Sequence, residues 1–200
     1  TGATSGIGAG AALILAREGA RLVLAGRRTE AGETVAATIR EAGGEAIFVT
    51  TDVTDEAQVG HAIARGIEAY GRLDILFNNA GGSSTSDGKV TDIAIETFRE
   101  TIELNLFGTF LCCRLAIPHI IRAGGGSVIN NASYMGLEGL GNDVYTAPKG
   151  GVIAMTRSMA MGFASDNVRV NALAPAVVGT ERIAARVKVD PLGARALAAQ

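Results

Sequence analysis

Apolar positions along the chain fall into short unbroken runs separated by stretches with helical spacing. Residues 9–18 are small and apolar with helical spacing and are stopped by Gly19, and residues 21–25 form a continuous apolar run. Residues 29–42 then read as a helix, 46–51 as a strand, 55–70 as a helix and 73–78 as a strand. Strands that are apolar throughout and alternate with helices predict a parallel sheet covered on both faces. The expected fold is therefore α/β, a doubly wound parallel sheet in three layers. Residues 93–122 read as one long helix whose apolar residues, Leu104, Leu106, Phe107, Phe110, Leu111 and Leu115, spread over more than one face. Such a helix is buried all round, by its own sheet or by a partner subunit.

In a sheet of this kind, ligands bind beyond the carboxyl ends of the strands. The residues expected there are Gly26-Arg-Arg28, Thr51-Asp-Val53, Asn78-Asn-Ala-Gly81, Asn131-Ala-Ser133 and the stretch from Pro175 to Thr180. Five such ends side by side form a crevice.

Composition narrows what the crevice serves. The chain has 200 residues, 48% hydrophobic and 19% charged, which suits a single domain over 1–200 able to bury roughly 70% of its unfolded surface. A formal charge of −2, no Trp and 4% aromatic residues offer neither a field nor a stacking surface for nucleic acid. Cys112 and Cys113 are adjacent, which fits neither a disulfide framework nor a metal site and points to a reducing compartment. His61 and His119 lack neighbouring ligands, so no metal is expected. No apolar run reaches the ~18 residues of a membrane span and nothing resembles a secretion signal, so the expected location is the cytoplasm, away from membranes. Both ends look clipped, since Thr1 falls within a strand-to-helix turn.

Three stretches carry candidate chemistry. In Thr1-Gly-Ala-Thr-Ser-Gly-Ile-Gly8, Gly2 and Gly6 let the backbone turn tightly against a ligand. Gly8 lets the following helix lie close on the sheet, and the first amides of that helix would face a phosphate. In Asp143-Val-Tyr-Thr-Ala-Pro-Lys149, Tyr145 and Lys149 are four apart, hence neighbours on one helix face. A cation within ~4–6 Å favours the phenolate and lowers a phenol pKa of about 10 by roughly 1–3 units, which brings proton exchange toward neutral pH. Pro148 is expected in the first turn of that helix, where its missing N–H has no partner to lose. Thirdly, Gly26 ends the strand over 21–25 where an NAD enzyme carries an acidic residue for the ribose, and Arg27 and Arg28 follow. A guanidinium fork there suits an extra phosphate, so NADP is expected in preference to NAD.

Taken together, Thr1-Gly-x-x-x-Gly-x-Gly8, Asp52-Val53, Asn78-Asn-Ala-Gly81, Asn105, Ser133, Tyr145-x-x-x-Lys149 and Pro175 through Thr180 resemble, in order and spacing, the motifs of the short-chain dehydrogenase/reductase family. The likeness covers nearly the whole chain. It implies a Rossmann-type domain with the cofactor phosphates on the turn over residues 2–8, Ser5 and Ile7 included, and the adenine at Asp52 and Val53. Asn79, Ala80 and Gly81 would line the cofactor, with Pro175, Val178 and Thr180 at its nicotinamide end. It further implies that Tyr145 exchanges a proton with the substrate oxygen while Ser133 hydrogen-bonds that oxygen. Lys149 would tune the tyrosine and hold the ribose, and Asn105 would anchor a water leading protons out past the lysine. The implied activity is hydride transfer between a nicotinamide and a small alcohol or carbonyl substrate, in a homodimer or homotetramer. Two departures from the family pattern are visible. Ala176 stands where glycine is usual, and the span from Ser133 to Tyr145 is one residue short. A non-catalytic NAD(P)-binding sensor or scaffold, and an isomerase or dehydratase on the same platform, are the alternative readings. The polar loop over residues 82–88 is expected to border the substrate, and a helix beginning at Glu181 to form a lid.

Overall fold

The structure, a computed structural model, describes residues 1–84, 86–138, 142–181 and 183–184. In chain order the elements are α1 (Gly6–Arg17), β1 (Arg21–Gly26), α2 (Thr29–Glu41), β2 (Glu45–Thr50), α3 (Glu56–Tyr70), β3 (Ile75–Asn78) and α4 (Ile95–Ile102). They continue with α5 (Gly108–Arg122), β4 (Gly126–Asn131), α6 (Met135–Glu138), α7 (Asp143–Gly162) and β5 (Val168–Leu173). Glu103–Phe107, between α4 and α5, is a turn of π-helix.

Every strand pairing among the described residues is parallel, as the apolar runs predict. β1 pairs with β2 from Arg21↔Glu45 to Gly26↔Thr50, and β4 lies between β3 and β5. The first residues tie the two ladders together near their carboxyl ends: the Ala3 N–H donates to the Ala25 carbonyl at 3.2 Å and the Thr1 amino group to the Phe77 carbonyl at 2.8 Å. Successive residues of a strand face opposite ways, and the packing follows that alternation. Leu22 and Leu24 of β1 join Ala12, Ala36 and Ile39 on the side of α1 and α2. Val23 faces α3, so closely that a Cβ on Gly66 would lie 2.7 Å from its Cγ2. Ile117 and Ile120 of α5 pack on Val128 and Val170, and Val152 and Ile153 of α7 pack on Ala132. The result is three layers, with the strand ends Gly26, Thr50, Asn78 and Asn131 sharing one edge of the sheet.

Local chemistry explains several boundaries. α3 begins where the Asp55 carboxylate caps the Gln58 N–H at 3.0 Å, which lowers the Asp55 pKa, and ends at Gly71 in the left-handed region (φ 78).

Two sequence expectations are corrected. Pro148 is not in the first turn of its helix: α7 begins at Asp143, so the proline is the sixth residue and the Val144 carbonyl loses its usual helical donor. The helix starts early because a carboxylate from a distant loop caps it, as described below. The long helix also differs. Ile95–Arg122 is unbroken, and by length and composition alone it is long and apolar enough to cross a bilayer, contrary to the reading that no run is. Half of its most apolar stretch is buried inside the fold. Most of the expected lid, residues 182 and 185–200, lies outside the described residues.

Candidate active site

A cavity of about 1100 Å³ opens along the shared strand edge. One end is the glycine turn. Gly2 and Gly6 hold φ of 64 and 54, and a Cβ on Gly2 would come 2.8 Å from the Ala80 Cα. Ser5 is the N-cap of α1 but makes no side-chain cap bond, and the first turn carries no acidic residue. The leading N–H groups of α1 therefore point at the cavity with a partial positive charge, a ready place for an anion. Gly8 lies behind the turn, where a Cβ would run into the Gly2 carbonyl.

The turn is locked to β3 from behind. The Thr1 hydroxyl accepts from the Asn79 and Ala80 N–H groups, both at 3.0 Å, while the Asn79 carboxamide donates to the Thr1 and Gly2 carbonyls. Above it, Arg28 donates to the Thr4 hydroxyl (2.8 Å) and the Ser5 hydroxyl (2.6 Å), and Arg27 pairs with Asp52 at 3.8 Å. Asp52 also accepts from the backbone and hydroxyl of Thr54, and Val53 is buried on the cavity wall.

At the other end, Ser133, Tyr145 and Lys149 line the same cavity. Tyr145 and Lys149 share a face of α7, and the lysine Nζ lies 5.5 Å from the tyrosine ring centre. Only 4% of Lys149 is exposed, and this burial lowers its pKa to about 8. Its ammonium donates to the Asn131 carbonyl at 2.8 Å. Asn131 in turn donates from its side chain to Asn79 at 2.9 Å, so the lysine, the end of β4 and the glycine turn form one connected frame. Ser133 follows β4, and its hydroxyl accepts from the Met135 N–H at 3.2 Å.

Asn105 occupies the π-helical turn and is fully buried. Its carboxamide accepts from the Gly82 N–H at 2.9 Å and donates to the Gly82 carbonyl at 3.0 Å, and its own carbonyl accepts from the Thr109 hydroxyl. Gly81 lies between it and the lysine: a Cβ there would be 2.6 Å from Asn105 Oδ1 and 3.3 Å from Lys149 Nζ. Behind the site, Asn78 donates to Asn130 (2.9 Å) and Asn130 to Thr156 of α7 (2.9 Å), a buried chain fastening the sheet to the helix that carries Tyr145. Burial pushes the Cys112 and Cys113 thiols up to about 11 and about 12, so neither is a thiolate nucleophile.

The cofactor and catalytic residues expected from the sequence thus line one cavity, except Gly8 and Asn105, which lie just behind its wall, and of the strand-end stretches Asn78 and Gly179 do not line it. Tyr134, Met135 and Asn142 also line it and were not expected, while Thr51 and Asn131, expected only as strand ends, form part of its wall. Asn131 carried a signal, being a second consecutive asparagine at the end of an otherwise apolar strand. Tyr134, Met135 and Asn142 carried none, because only the fold brings them round.

A family model for short chain dehydrogenase matches residues 1–189. The chain belongs to the short-chain dehydrogenase/reductase family. It is 40% identical over 185 residues to cis-4-hydroxycyclohexanecarboxylate dehydrogenase of Sinomonas cyclohexanicum, covering 92% of this chain and 74% of that one. It is 38% identical over 193 residues to 2,5-dichloro-2,5-cyclohexadiene-1,4-diol dehydrogenase of Sphingobium indicum, covering 96% and 76%. The crystal structure of a short-chain dehydrogenase/reductase from Burkholderia xenovorans superposes with a TM-score of 0.86 at 33% identity, over 92% of this chain and 72% of that one. As a short-chain dehydrogenase/reductase, the protein is an oxidoreductase of a family that uses NAD or NADP.

Proposed function

We propose that this enzyme interconverts a secondary alcohol on a six-membered carbon ring and the corresponding ketone, with Tyr145 as general acid/base. The carrying observation is that Ser133, Tyr145 and Lys149 border the same cavity as the anion-ready glycine turn. The ring comes from the two relatives above, whose names both describe a hydroxylated cyclohexane or cyclohexadiene.

A bound nicotinamide cofactor supplies or accepts the hydride. The residues present fit such a cofactor: Gly2 and Gly6 hold the left-handed backbone of the turn, and the start of α1 beside the cavity has no side-chain cap and no acidic residue. The amides of Ser5, Gly6 and Ile7 would hold its phosphates, Asp52 and Val53 its adenine, and Asn79, Ala80 and Gly81 its middle. Pro175, Val178 and Thr180 would meet the nicotinamide end, and Tyr145 and Lys149 the ribose. Arg28, fixed above the turn, and Arg27 favour the additional phosphate of NADP over NAD.

At the reacting end, the Tyr145 hydroxyl passes a proton to or from the substrate oxygen. The Ser133 hydroxyl donates to the same oxygen and stabilises the charge that builds there. Lys149, charged below about pH 8, places its ammonium beside the tyrosine ring. Asn105 anchors the start of the loop after Gly81 and completes the route by which protons leave past Lys149.

The exposed Phe98, Phe107 and Phe110 along the helix over Ile95–Arg122 support a homodimer or homotetramer, and the two buried free thiols suit a cytoplasmic enzyme. The test is a panel of cyclohexanols and cyclohexanones with NADPH and NADH, followed by cofactor absorbance. Turnover of ring substrates, faster or at lower cofactor concentration with NADPH, is expected. Tight cofactor binding without turnover of any alcohol or ketone would point to the sensor reading instead.

A further inference from the structure

The loop that follows Gly81 does more than border the cavity. The Asp87 carboxylate accepts from the Val144 N–H at 3.2 Å through Oδ1 and from the Tyr145 N–H at 3.0 Å through Oδ2, and Oδ1 also accepts from the Gly88 N–H at 2.8 Å. The bonding is reciprocal. Asp143 accepts from the Val90 N–H at 2.8 Å with its side chain and donates its own N–H to the Gly88 carbonyl at 3.3 Å. Asn142, the residue in the N-cap position of α7, makes no side-chain cap bond. The leading N–H groups of the helix that carries Tyr145 are therefore satisfied from a loop more than 50 residues earlier in the chain.

We infer that Asp87 is a positioning residue for Tyr145, a cap supplied from the substrate-side loop that sets where the phenol stands relative to Ser133 and Lys149. A carboxylate suits the task because it offers acceptors on two oxygens and no donor, and its charge is favourable at a helix N-terminus. Pro148 makes the cap matter more, since it removes a helical hydrogen bond from the first turns of α7. The same contact ties loop position to catalytic geometry, so a substrate that moves the loop also moves the start of α7. This inference rests on the reading that Tyr145 transfers the proton.

The test compares the wild-type enzyme with Asp87→Asn, which keeps the shape but turns one acceptor into a donor facing an N–H, and with Asp87→Glu, which restores both oxygens. For Asp87→Asn, amide exchange at Val144 and Tyr145 should quicken by about ten-fold while that of β4 stays unchanged. Turnover of a cyclohexanone with NADPH should fall roughly 10- to 100-fold with NADPH affinity within about two-fold of wild type, because a small misplacement costs rate rather than cofactor binding. Asp87→Glu should recover part of both losses. Unchanged exchange at Val144 and Tyr145, faster exchange with normal turnover, or parallel loss of turnover, NADPH affinity and β4 protection would each overturn the inference. A wild-type enzyme silent towards every ring alcohol and ketone would count against the functional reading alone, and the exchange measurement would then decide the cap by itself.

Discussion

At the glycine-turn end of the cavity the wall is one short stretch, residues 2–8, and its shape comes from backbone dihedrals, with Gly2 at φ 64 and Gly6 at 54. At the other end Ser133, Asn105, Asp87 and the α7 pair Tyr145 and Lys149 come from four segments, with hydrogen bonds that bridge 18 residues for Lys149 to Asn131 and 58 for Tyr145 to Asp87. The first end takes its shape from the dihedrals of a few consecutive small residues, braced from behind by Asn79 and Ala80. The second is an alignment, and it exists only when the whole domain is folded. The two should therefore fail differently: the turn through strain, with loss of stability and cofactor affinity, and the reacting end through displacement or loss of a functional group, with loss of rate.

The largest effect tests the second half of that contrast. Tyr145→Phe removes only a hydroxyl, so turnover should drop by roughly 10²–10⁴-fold while thermal stability and cofactor affinity hardly move. Near-normal turnover would mean that the proton comes from another group. Gly2→Ala tests the first half. It places a Cβ in a left-handed conformation 2.8 Å from the Ala80 Cα, and urea unfolding should show a loss of roughly 2–4 kcal/mol together with weaker NADPH binding.

Lys149 sharpens the comparison through pH. Its folded pKa, about 8, is below the ordinary lysine value of 10.5. Below about pH 8 the folded and unfolded chains both carry the proton, and the folded state bears the full burial cost. Between about 8 and 10.5 the folded chain has lost the proton while the unfolded chain keeps it, so stability rises with pH, and above 10.5 the contribution levels off. Unfolding of the cofactor-free protein across this window should show a gain of up to about 3 kcal/mol that Lys149→Met lacks. An identical pH profile in the variant would refute the assignment.

Two smaller effects concern the turn again. Arg28→Ala should weaken NADPH binding by about ten-fold, worth about 1.4 kcal/mol, and leave NADH nearly unchanged in a fluorescence titration. Equal loss for both cofactors would show that the arginine merely braces Thr4 and Ser5. Gly10, on the open side of α1 with nothing within 4 Å of its missing Cβ, is the control. Gly10→Ala should stabilise by about 0.5–1 kcal/mol, where Gly2→Ala destabilises. A loss of stability at Gly10 would show that α1 tolerates no added side chain, and that the penalty at Gly2 is not special to the turn.

The contrast also explains what could be read in advance. The alternation of elements was legible because parallel strands such as Arg21–Gly26 are apolar on both faces, which leaves a continuous run in the sequence. The glycine turn was legible for the same reason that it is local: its conformation is written in consecutive residues. Tyr145 and Lys149 were legible because a helix converts a spacing of four into adjacency. Asp87 was not, since a cap supplied from across the fold has no spacing to recognise. The misplaced Pro148 follows from that gap, because proline marks a first turn only when the helix start is decided locally. The hydrogen bonds of Asn131 and Thr156 were hidden in a similar way, their partners Asn79 and Asn130 being neighbours only through the sheet and α7.

The π-helical turn at Glu103–Phe107 has an evolutionary consequence. One extra residue is accommodated there, so loss of a single codon would restore ordinary helix winding. Every residue upstream would then turn by about 100° relative to α5 and shift by about 1.5 Å. Phe98 would move round to the exposed place of Arg99, the buried Thr101 to the half-buried place of Ile102, and Asn105 would swing off Gly82. Point substitutions along this helix can be sampled one at a time, but a one-residue deletion changes both the outer face and the inner anchor together. Insertions and deletions should therefore be far rarer among relatives in this segment than in the loop before it.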